Sequence, residues 1–310
     1  MKTKIKKLIF EYSTHSRITT KELGKKIGSS QQSASYLLNM IKKRKAIESP
    51  TTIVDAIKLG FMNILVGFNL INPGLKKEII DELKQIPSIT SIEECKEGID
   101  LLVEYTVPNL SAFNKIHTET ISKQYKQLRT EFIYPIIVVH HYNKNYLLRR
   151  PKDSDIILFG DRIIRDLSER ENLILNNLVN QPDKKLIDIS EDLDIPVKTV
   201  IKIKKGLEKK YIIRGYGAIL NHKKLEIIRN VMFIRFSSEG IKQIENFYEY
   251  TKNNKNIIRF IKLIGEYQMA IYFEALKEED IIKEIRSNFP VESYHIIKSE
   301  KIHKKRYLPE

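Results

Sequence analysis

KELGKKIGSSQQSASYLLNMIKKRKAIESPTTIVDAIKL, residues 21–59, aligns without a gap with IDISEDLDIPVKTVIKIKKGLEKKYIIRGYGAILNHKKL, residues 187–225. Identity between the two stretches is low, but their apolar positions coincide, as where Leu23 falls on Ile189 and Ile41 on Leu207. A correspondence at one fixed shift is typical of an internal repeat. The chain therefore contains two copies of one unit, at residues 1–146 and 167–310.

The first third of each copy has the apolar spacing of three helices. In copy one, a short second helix is expected from Thr20, with Thr19 or Thr20 as its N-cap. A tight Gly-Ser-Ser turn follows, and Ser30 is the expected N-cap of a longer third helix. A short helix, a tight turn and a longer helix form the helix-turn-helix pattern.

The remainder of each copy alternates as strand, helix, two strands, helix, strand, which is the ferredoxin-like βαββαβ order. In copy one these elements are predicted at residues 64–70, 74–85, 89–94, 101–106, 110–128 and 133–141. The fold class is therefore α+β, with two copies of a helix-turn-helix followed by a ferredoxin-like sandwich. The predicted domains are residues 1–50, 51–146, 167–217 and 218–310, with a linker at 147–166.

One stretch carries a family resemblance. LEKKYIIRGYGAILN, residues 207–221, resembles the end of the recognition helix, the wing and the first hinge strand of the leucine-responsive (Lrp/AsnC) regulators. Residues 51–60 resemble the same crossing in copy one, although the Gly-Tyr pair of the wing is missing there. The resemblance implies a winged helix-turn-helix joined to a ligand-sensing (RAM-type) sandwich, and a sequence-specific transcription regulator.

Charge supports a nucleic-acid partner. The chain carries a net charge of +15, and residues 1–50 hold twelve Lys or Arg against three acids. A recognition helix reads base edges with polar side chains and holds phosphates with lysine or arginine. The side chains predicted to contact double-stranded DNA are Ser30, Gln31, Gln32, Ser33, Ser35, Tyr36, Lys42, Lys43, Arg44, Lys198, Thr199, Lys202, Lys204, Lys205 and Arg214.

The resemblance also implies a small-molecule effector, such as an amino acid, held between paired sandwiches near a hairpin turn. By that resemblance Gly98, Asp100, Gly265 and Glu266 are the effector-binding residues. The alternative is a plain hairpin whose glycine supplies a positive φ. Duplication further predicts that the two sandwiches pair within one chain as a pseudo-dimer, that whole chains self-associate, or both.

Several classes are excluded by composition. A single cysteine, Cys95, rules out an intramolecular disulfide and is expected to be a buried apolar residue. No metal site and no cofactor are expected. No apolar run approaches the roughly 20 residues that cross a bilayer, so a cytoplasmic protein without a membrane partner is expected.

We expect no enzymatic activity, because the sequence shows no Ser-His-Asp order, metal-ligand spacing or Gly-rich phosphate loop. The alternative function is an enzyme similar to the siroheme decarboxylases, which share this type of fold, occur as paired copies and handle an anionic tetrapyrrole. The absence of tryptophan, and of a stretch rich in His and Arg, argues against that alternative.

Overall fold

The computed structural model describes residues 3–123, 127–148, 155–160, 163–238, 240–277 and 279–310. The basic stretch 149–153 of the predicted linker lies outside the described residues. The helices are α1 (Thr3–Thr14), α2 (Thr20–Ile27), α3 (Gln31–Lys43), α4 (Lys76–Lys84), α5 (Leu110–Lys123), α6 (Glu169–Asn180), α7 (Leu186–Leu193), α8 (Val197–Lys209), α9 (His222–Leu225), α10 (Ile244–Asn253) and α11 (Ile281–Asn288).

The strands are β1 (Ile47–Val54), β2 (Met62–Leu70), β3 (Ile89–Glu97), β4 (Leu101–Val107), β5 (Leu128–Tyr142), β6 (Asp155–Leu158), β7 (Ile213–Leu220), β8 (Ile228–Phe236), β9 (Ile257–Leu263), β10 (Met269–Ala275) and β11 (Val291–Lys305). The predicted βαββαβ order is confirmed in both copies, as β2-α4-β3-β4-α5-β5 and as β8-α10-β9-β10-α11-β11. The largest difference is at β5, which begins at Leu128, whereas the sequence predicted a helix up to residue 128 and a strand only from residue 133.

The chain forms two compact units. Unit 1 comprises Met1–Gly60, Asp161–Asn221 and Arg306–Leu308, and unit 2 comprises the rest. Each unit combines segments of both copies. The reason is that the strand after each third helix pairs with its counterpart from the other copy.

Unit 1 holds two three-helix bundles, α1–α3 and α6–α8. Strands β1 and β7 pair antiparallel, with Thr51 opposite Gly217, so the strand that the sequence assigned to each wing pairs across the duplication. Two N-caps agree with the sequence: Thr19 forms a capping box at α2, and Ser30 accepts from the backbone N–H of Ser33 at the start of α3. Such caps satisfy N–H groups that have no partner within the helix.

Unit 2 is a closed barrel with helices outside. Its strand order is β2-β4-β3-β11-β8-β10-β9-β5, and β5 pairs back with β2, while β6 adds to β5. Each copy contributes four of the barrel strands, and the copies meet where β3 pairs with β11 and where β9 pairs with β5. The two sandwiches of one chain are therefore joined into one sheet, as the pseudo-dimer hypothesis expected.

Alternation along the strands separates two environments. One face of the copy-one strands, including Val66 and Tyr105, packs under α4 and α5. The corresponding face of the copy-two strands, including Ile234 and Phe260, packs under α10 and α11. The other face of every strand points into the barrel, which places the polar and aromatic side chains described next.

Candidate functional site

The side chains predicted to contact DNA lie on α3, on α8 and at the ends of these helices, and many of them are exposed. Tyr36 is 70% exposed, and Gln31 and Gln32 beside it are exposed as well. The other exposed members are Ser30, Lys43, Arg44, Lys198, Lys202 and Lys205. The half-buried members are Ser33, Ser35, Lys42, Thr199, Lys204 and Arg214.

Some of the predicted phosphate contacts have partners within the protein, as where Lys42 pairs with Asp183 at 3.8 Å. Lys204 donates to the Glu208 carboxylate at 2.6 Å, and its ammonium lies 5.0 Å from the centre of the Tyr216 ring. The guanidinium of Arg214 lies 5.1 Å from the centre of the Tyr211 ring. Neither cation is as available to a phosphate as the exposed lysines of α8.

The four predicted effector residues lie at or beside two hairpin turns, one in each copy. Gly98, Gly265 and Glu266 are exposed at the turns β3–β4 and β9–β10. Asp100 is used inside its own copy, because its carboxylate accepts from the backbone N–H of Leu70 at 2.8 Å.

One end of the barrel interior is filled by charge. The Glu274 carboxylate is fully buried and accepts from Lys144 at 2.9 Å, Tyr146 at 2.7 Å, His222 at 2.8 Å and Arg229 at 2.7 Å. Burial alone would raise the pKa of Glu274, but these cations outweigh it and hold the pKa well below its usual value.

Further ion pairs connect the two copies. Arg229 of β8 donates to Glu93 of β3 at 2.7 Å, and Glu104 of β4 pairs with both Arg259 and Lys305. Burial lowers the pKa of Lys305 to about 8, although Glu104 opposes this shift. In these pairs the acids come from copy one and the bases from copy two, so each copy's inner face complements the other's.

The other end of the barrel, where both hairpin turns lie, is aromatic; we call it the hairpin end. Strands β3 and β8 are both antiparallel to β11, so the turns that follow β3 and β9 lie at the same end. The Phe233 ring is central there, with its centre 5.1 Å from that of Phe132 and 6.0 Å from those of Tyr134 and Tyr267. The His295 ring lies 6.5 Å from Phe233.

His295 and Arg235, two side chains of copy two that can carry positive charge, lie on the strand face that points into the barrel at this end. Ser293 is opposite Arg235, and His295 is opposite Phe233, so both groups share one face of the β8–β11 pair. Burial lowers the pKa of His295, while the nearby Glu266 acts in the opposite direction. Arg235 forms an exposed ion pair at 3.4 Å with Glu292, and exposed pairs of this kind contribute little stability.

Neither Arg235 nor His295 is among the site residues predicted from sequence. Each lies on the inward-facing positions of a strand, where alternation predicts an apolar side chain. A polar residue at an inward-facing strand position indicates a site, but the inward-facing positions are known only once the barrel is known to be closed.

Three further findings concern metal ions, the cysteine and membrane-spanning helices. Within the described ranges, no group of three or more His, Cys, Asp or Glu side chains is placed to hold a metal ion. Cys95 is buried, as expected, and burial raises the pKa of its thiol. None of the helices described is both long enough and apolar enough to span a membrane.

The sequence matches no family model, and no curated protein matches it either. Solved structures do match. Siroheme decarboxylase NirDL matches over 99% of this chain and 94% of its own, with a TM-score of 0.61 and 14% identity. NirDL in complex with an iron-uroporphyrin III analogue matches over 99% and 93%, with a TM-score of 0.60 and 14% identity.

Transcription regulators match over about half of the chain. An AsnC family regulator from Agrobacterium tumefaciens covers 55% of this chain and 95% of its own, with 14% identity and a TM-score of 0.37. AsnC of E. coli covers 54% and 97%, with 12% identity and a TM-score of 0.36. The mixed α+β fold with ferredoxin-like sheets is thus shared with NirDL over the whole chain.

The expectation that this chain is not an enzyme is contradicted by the NirDL match, since the duplicated arrangement of the whole chain also occurs in an enzyme. The absence of tryptophan and of familiar catalytic motifs had favoured that expectation. Those motifs are local in sequence, whereas the side chains at the hairpin end come from strands that are far apart along the chain.

Proposed function

We propose that this chain is an enzyme of the siroheme-decarboxylase type, which removes CO2 from a carboxylate side chain of an iron tetrapyrrole. The observation that carries the proposal is the placement of Arg235 and His295 on the same face of the β8–β11 strand pair, beside the Phe233 ring, whose centre is 6.0 Å from that of Tyr267. The full-length likeness to NirDL supports the choice of substrate class. The substrate is anionic, which suits a chain of net charge +15.

Arg235 binds the substrate carboxylate in this proposal. A guanidinium matches a carboxylate with two parallel N–H donors, and such charge-assisted bonds are about twice as strong as neutral ones. Its ion pair with Glu292 is exposed, so replacing Glu292 by the substrate carboxylate costs little free energy. The half-buried Tyr267 ring flanks the tetrapyrrole face.

His295 supplies the proton. The bond between the carboxylate carbon and its methylene carbon breaks, CO2 leaves, and the electron pair stays on the methylene carbon. The imidazolium N–H of His295 then protonates that carbon to a methyl group. Because burial lowers the pKa of free His295, binding of an anion is accompanied by proton uptake, and we expect the rate to fall as the pH rises through the His295 pKa.

The test incubates the full chain anaerobically with siroheme and measures loss of CO2 from the tetrapyrrole by mass spectrometry. We expect His295→Gln to lower the rate about 100-fold or more, and Arg235→Gln to raise the substrate concentration needed for half-maximal rate. Arg286→Gln is the matched control, because it removes the same charge from an exposed site on α11. No product from the wild-type chain, or a full rate in His295→Gln, would contradict the proposal.

A second candidate function, binding of duplex DNA by unit 1, is favoured by one observation: the outward face of α3 is exposed at Gln31, Gln32 and Tyr36. Glutamine can pair with adenine through two hydrogen bonds, worth about 1–3 kcal/mol of discrimination. Gln32→Ala should therefore weaken binding to a selected site more than to scrambled DNA in a gel shift. Asn39→Ala, exposed on the same helix, is the control, and equal losses in both variants would remove this candidate.

A further inference from the structure

Two hydrogen bonds fix how the two copies correspond at the hairpin end. In copy one, the Asp100 carboxylate accepts from the backbone N–H of Leu70 at 2.8 Å. In copy two, the side-chain oxygen of Gln268 accepts from the backbone N–H of Phe236 at 3.1 Å. Asp100 and Gln268 each come directly before the strand that follows the hairpin turn. Leu70 therefore corresponds to Phe236, and Asp100 to Gln268.

Each copy contributes one arginine at this level of the barrel. Arg235 of β8 comes directly before the residue that is bonded by its hairpin turn, and Asn69 of β2 comes directly before the counterpart of that residue. Asn69 is opposite Arg129 of β5. Arg235 is opposite Ser293 of β11. A guanidinium is thus present in both strand pairs, on β5 in copy one and on β8 in copy two.

Strand alternation places Arg129 on the inner face of the barrel. Leu128 packs in the core under α4 and α5, and the Thr130 hydroxyl lies 3.2 Å from Nε2 of His117 on α5. Both neighbours of Arg129 therefore face outward, and Arg129 between them faces inward. Its side chain is 67% exposed, so it lies at the rim of the hairpin end, as the 43% exposed Arg235 does.

The two arginines lie far apart around this rim. In the closed order of the barrel strands, β10 and β9 separate β8 from β5 on one side, and β2, β4, β3 and β11 separate them on the other. Eight strands spaced about 4.8 Å apart and tilted by about 40° enclose a barrel about 16 Å in diameter. The β9–β10 turn, with the half-buried Tyr267, lies between the two arginines on the shorter side. A flat ligand with acid groups on separate edges can therefore reach both guanidinium groups.

Each arginine has an exposed glutamate as an ion-pair partner. Arg129 pairs with Glu131 at 2.6 Å, and Arg235 pairs with Glu292 at 3.4 Å. Both glutamates are exposed, and exposed ion pairs contribute little stability. A ligand carboxylate can therefore replace either glutamate at a small cost in free energy.

We propose that Arg129 is a second substrate-binding residue, which holds a carboxylate on the tetrapyrrole edge away from Arg235, so that the macrocycle lies across the rim of the barrel. This inference rests on the proposed function, because it takes the tetrapyrrole as the ligand of the hairpin end. It adds an orientation and a selectivity: the site favours a tetrapyrrole whose carboxylates lie on separate edges over one whose carboxylates lie together.

The first experiment titrates the full chain with iron uroporphyrin, which has carboxylates on every edge, and follows the tetrapyrrole absorbance. We expect affinity at least about tenfold weaker in Arg129→Gln, because a charge-assisted contact is lost. Glu131→Gln is the matched control: it breaks the same ion pair but keeps the guanidinium, so it should bind at least as tightly as the wild type. Arg286→Gln, which removes an exposed arginine of α11, should bind as the wild type does.

A second probe tests the contact with two edges. The carboxylates of iron protoporphyrin IX lie together on one edge, so this ligand can reach only one of the two arginines at a time. Arg129→Gln and Arg235→Gln should then each weaken its binding by only about twofold, because half of the equivalent orientations remain. The double variant should bind it at least about tenfold more weakly than the wild type. With iron uroporphyrin, the losses of binding free energy in the two single variants should add in the double variant.

The outcomes separate the two proposals. If Arg235→Gln weakens the binding of iron uroporphyrin and Arg129→Gln does not, or if Glu131→Gln loses as much as Arg129→Gln, the second contact is overturned and the proposed function stands. A loss with iron protoporphyrin IX in either single variant as large as the loss with iron uroporphyrin also overturns the contact with two edges. No binding by the wild-type chain overturns both proposals. Losses in both arginine variants, without a loss in Glu131→Gln, support both.

Discussion

Replacing the buried carboxylate of Glu274 by an amide, Glu274→Gln, should destabilise the barrel more than any exposed charge change. The side chain is fully buried, and its two oxygens accept from Lys144, Tyr146, His222 and Arg229. Glutamine preserves the shape but leaves buried cations without their counter-charge. Loss of one partner from a buried ion pair lowers the free energy of unfolding by about 3–5 kcal/mol.

This loss in the free energy of unfolding corresponds to a lower urea concentration at the midpoint of unfolding. With a urea m-value of about 2 kcal/mol per M, the midpoint should fall by about 1.5–2.5 M. The chain has no tryptophan, so near-UV circular dichroism of buried tyrosines such as Tyr272, which lies inside the barrel, reports the unfolding of unit 2.

Glu279→Gln is the matched control. Glu279 pairs with Lys255 at 3.7 Å, and both side chains are 41% exposed, so we expect a change near zero. If Glu274→Gln shifts the midpoint no more than Glu279→Gln does, the buried charges do not hold the barrel together and the energetic argument is refuted.

Two further predictions concern the same unit. The pKa values of the buried barrel carboxylates Glu93, Glu104 and Glu274 are lowered in the folded state, so the stabilisation they provide is present above about pH 4.3, the usual pKa of a free glutamate, and is lost as the pH falls through their folded pKa values. Acid titration followed by circular dichroism should therefore show unit 2 unfolding below about pH 4.3. A constant free energy of unfolding down to about pH 2 would count against this prediction. Gly98→Ala should lower the thermal midpoint more than Gly60→Ala does. Both glycines have a positive φ, but of these two only a Cβ at Gly98 would meet backbone, 2.5 Å from the Ile296 carbonyl oxygen. Equal changes in thermal midpoint would show that the turn at Gly98 accommodates the Cβ without strain.

Much of the fold followed from local patterns. The repeat, the helix-turn-helix spacing and the βαββαβ order were all readable, because each depends on apolar periodicity over about ten to twenty residues. The N-caps at Thr19 and Ser30 also follow from residue type at a helix start.

The closed barrel and the site inside it could not be predicted from the sequence, because they depend on pairing between strands that are far apart along the chain. Nothing near β5 in sequence shows that it pairs with both β2 and β9. Arg235 and His295 are therefore separate polar residues in the sequence and neighbours only across the β8–β11 register. The family resemblance favoured a regulator because its motifs lie in unit 1, while the residues proposed to do chemistry lie in unit 2.

The most direct test of the central claim is a crystal structure of the full chain with iron uroporphyrin bound. Our account predicts the tetrapyrrole at the hairpin end of the barrel, with one carboxylate on the guanidinium of Arg235 and the adjacent carbon facing His295. A tetrapyrrole held elsewhere in the chain, or one whose carboxylates touch neither side chain, would contradict it.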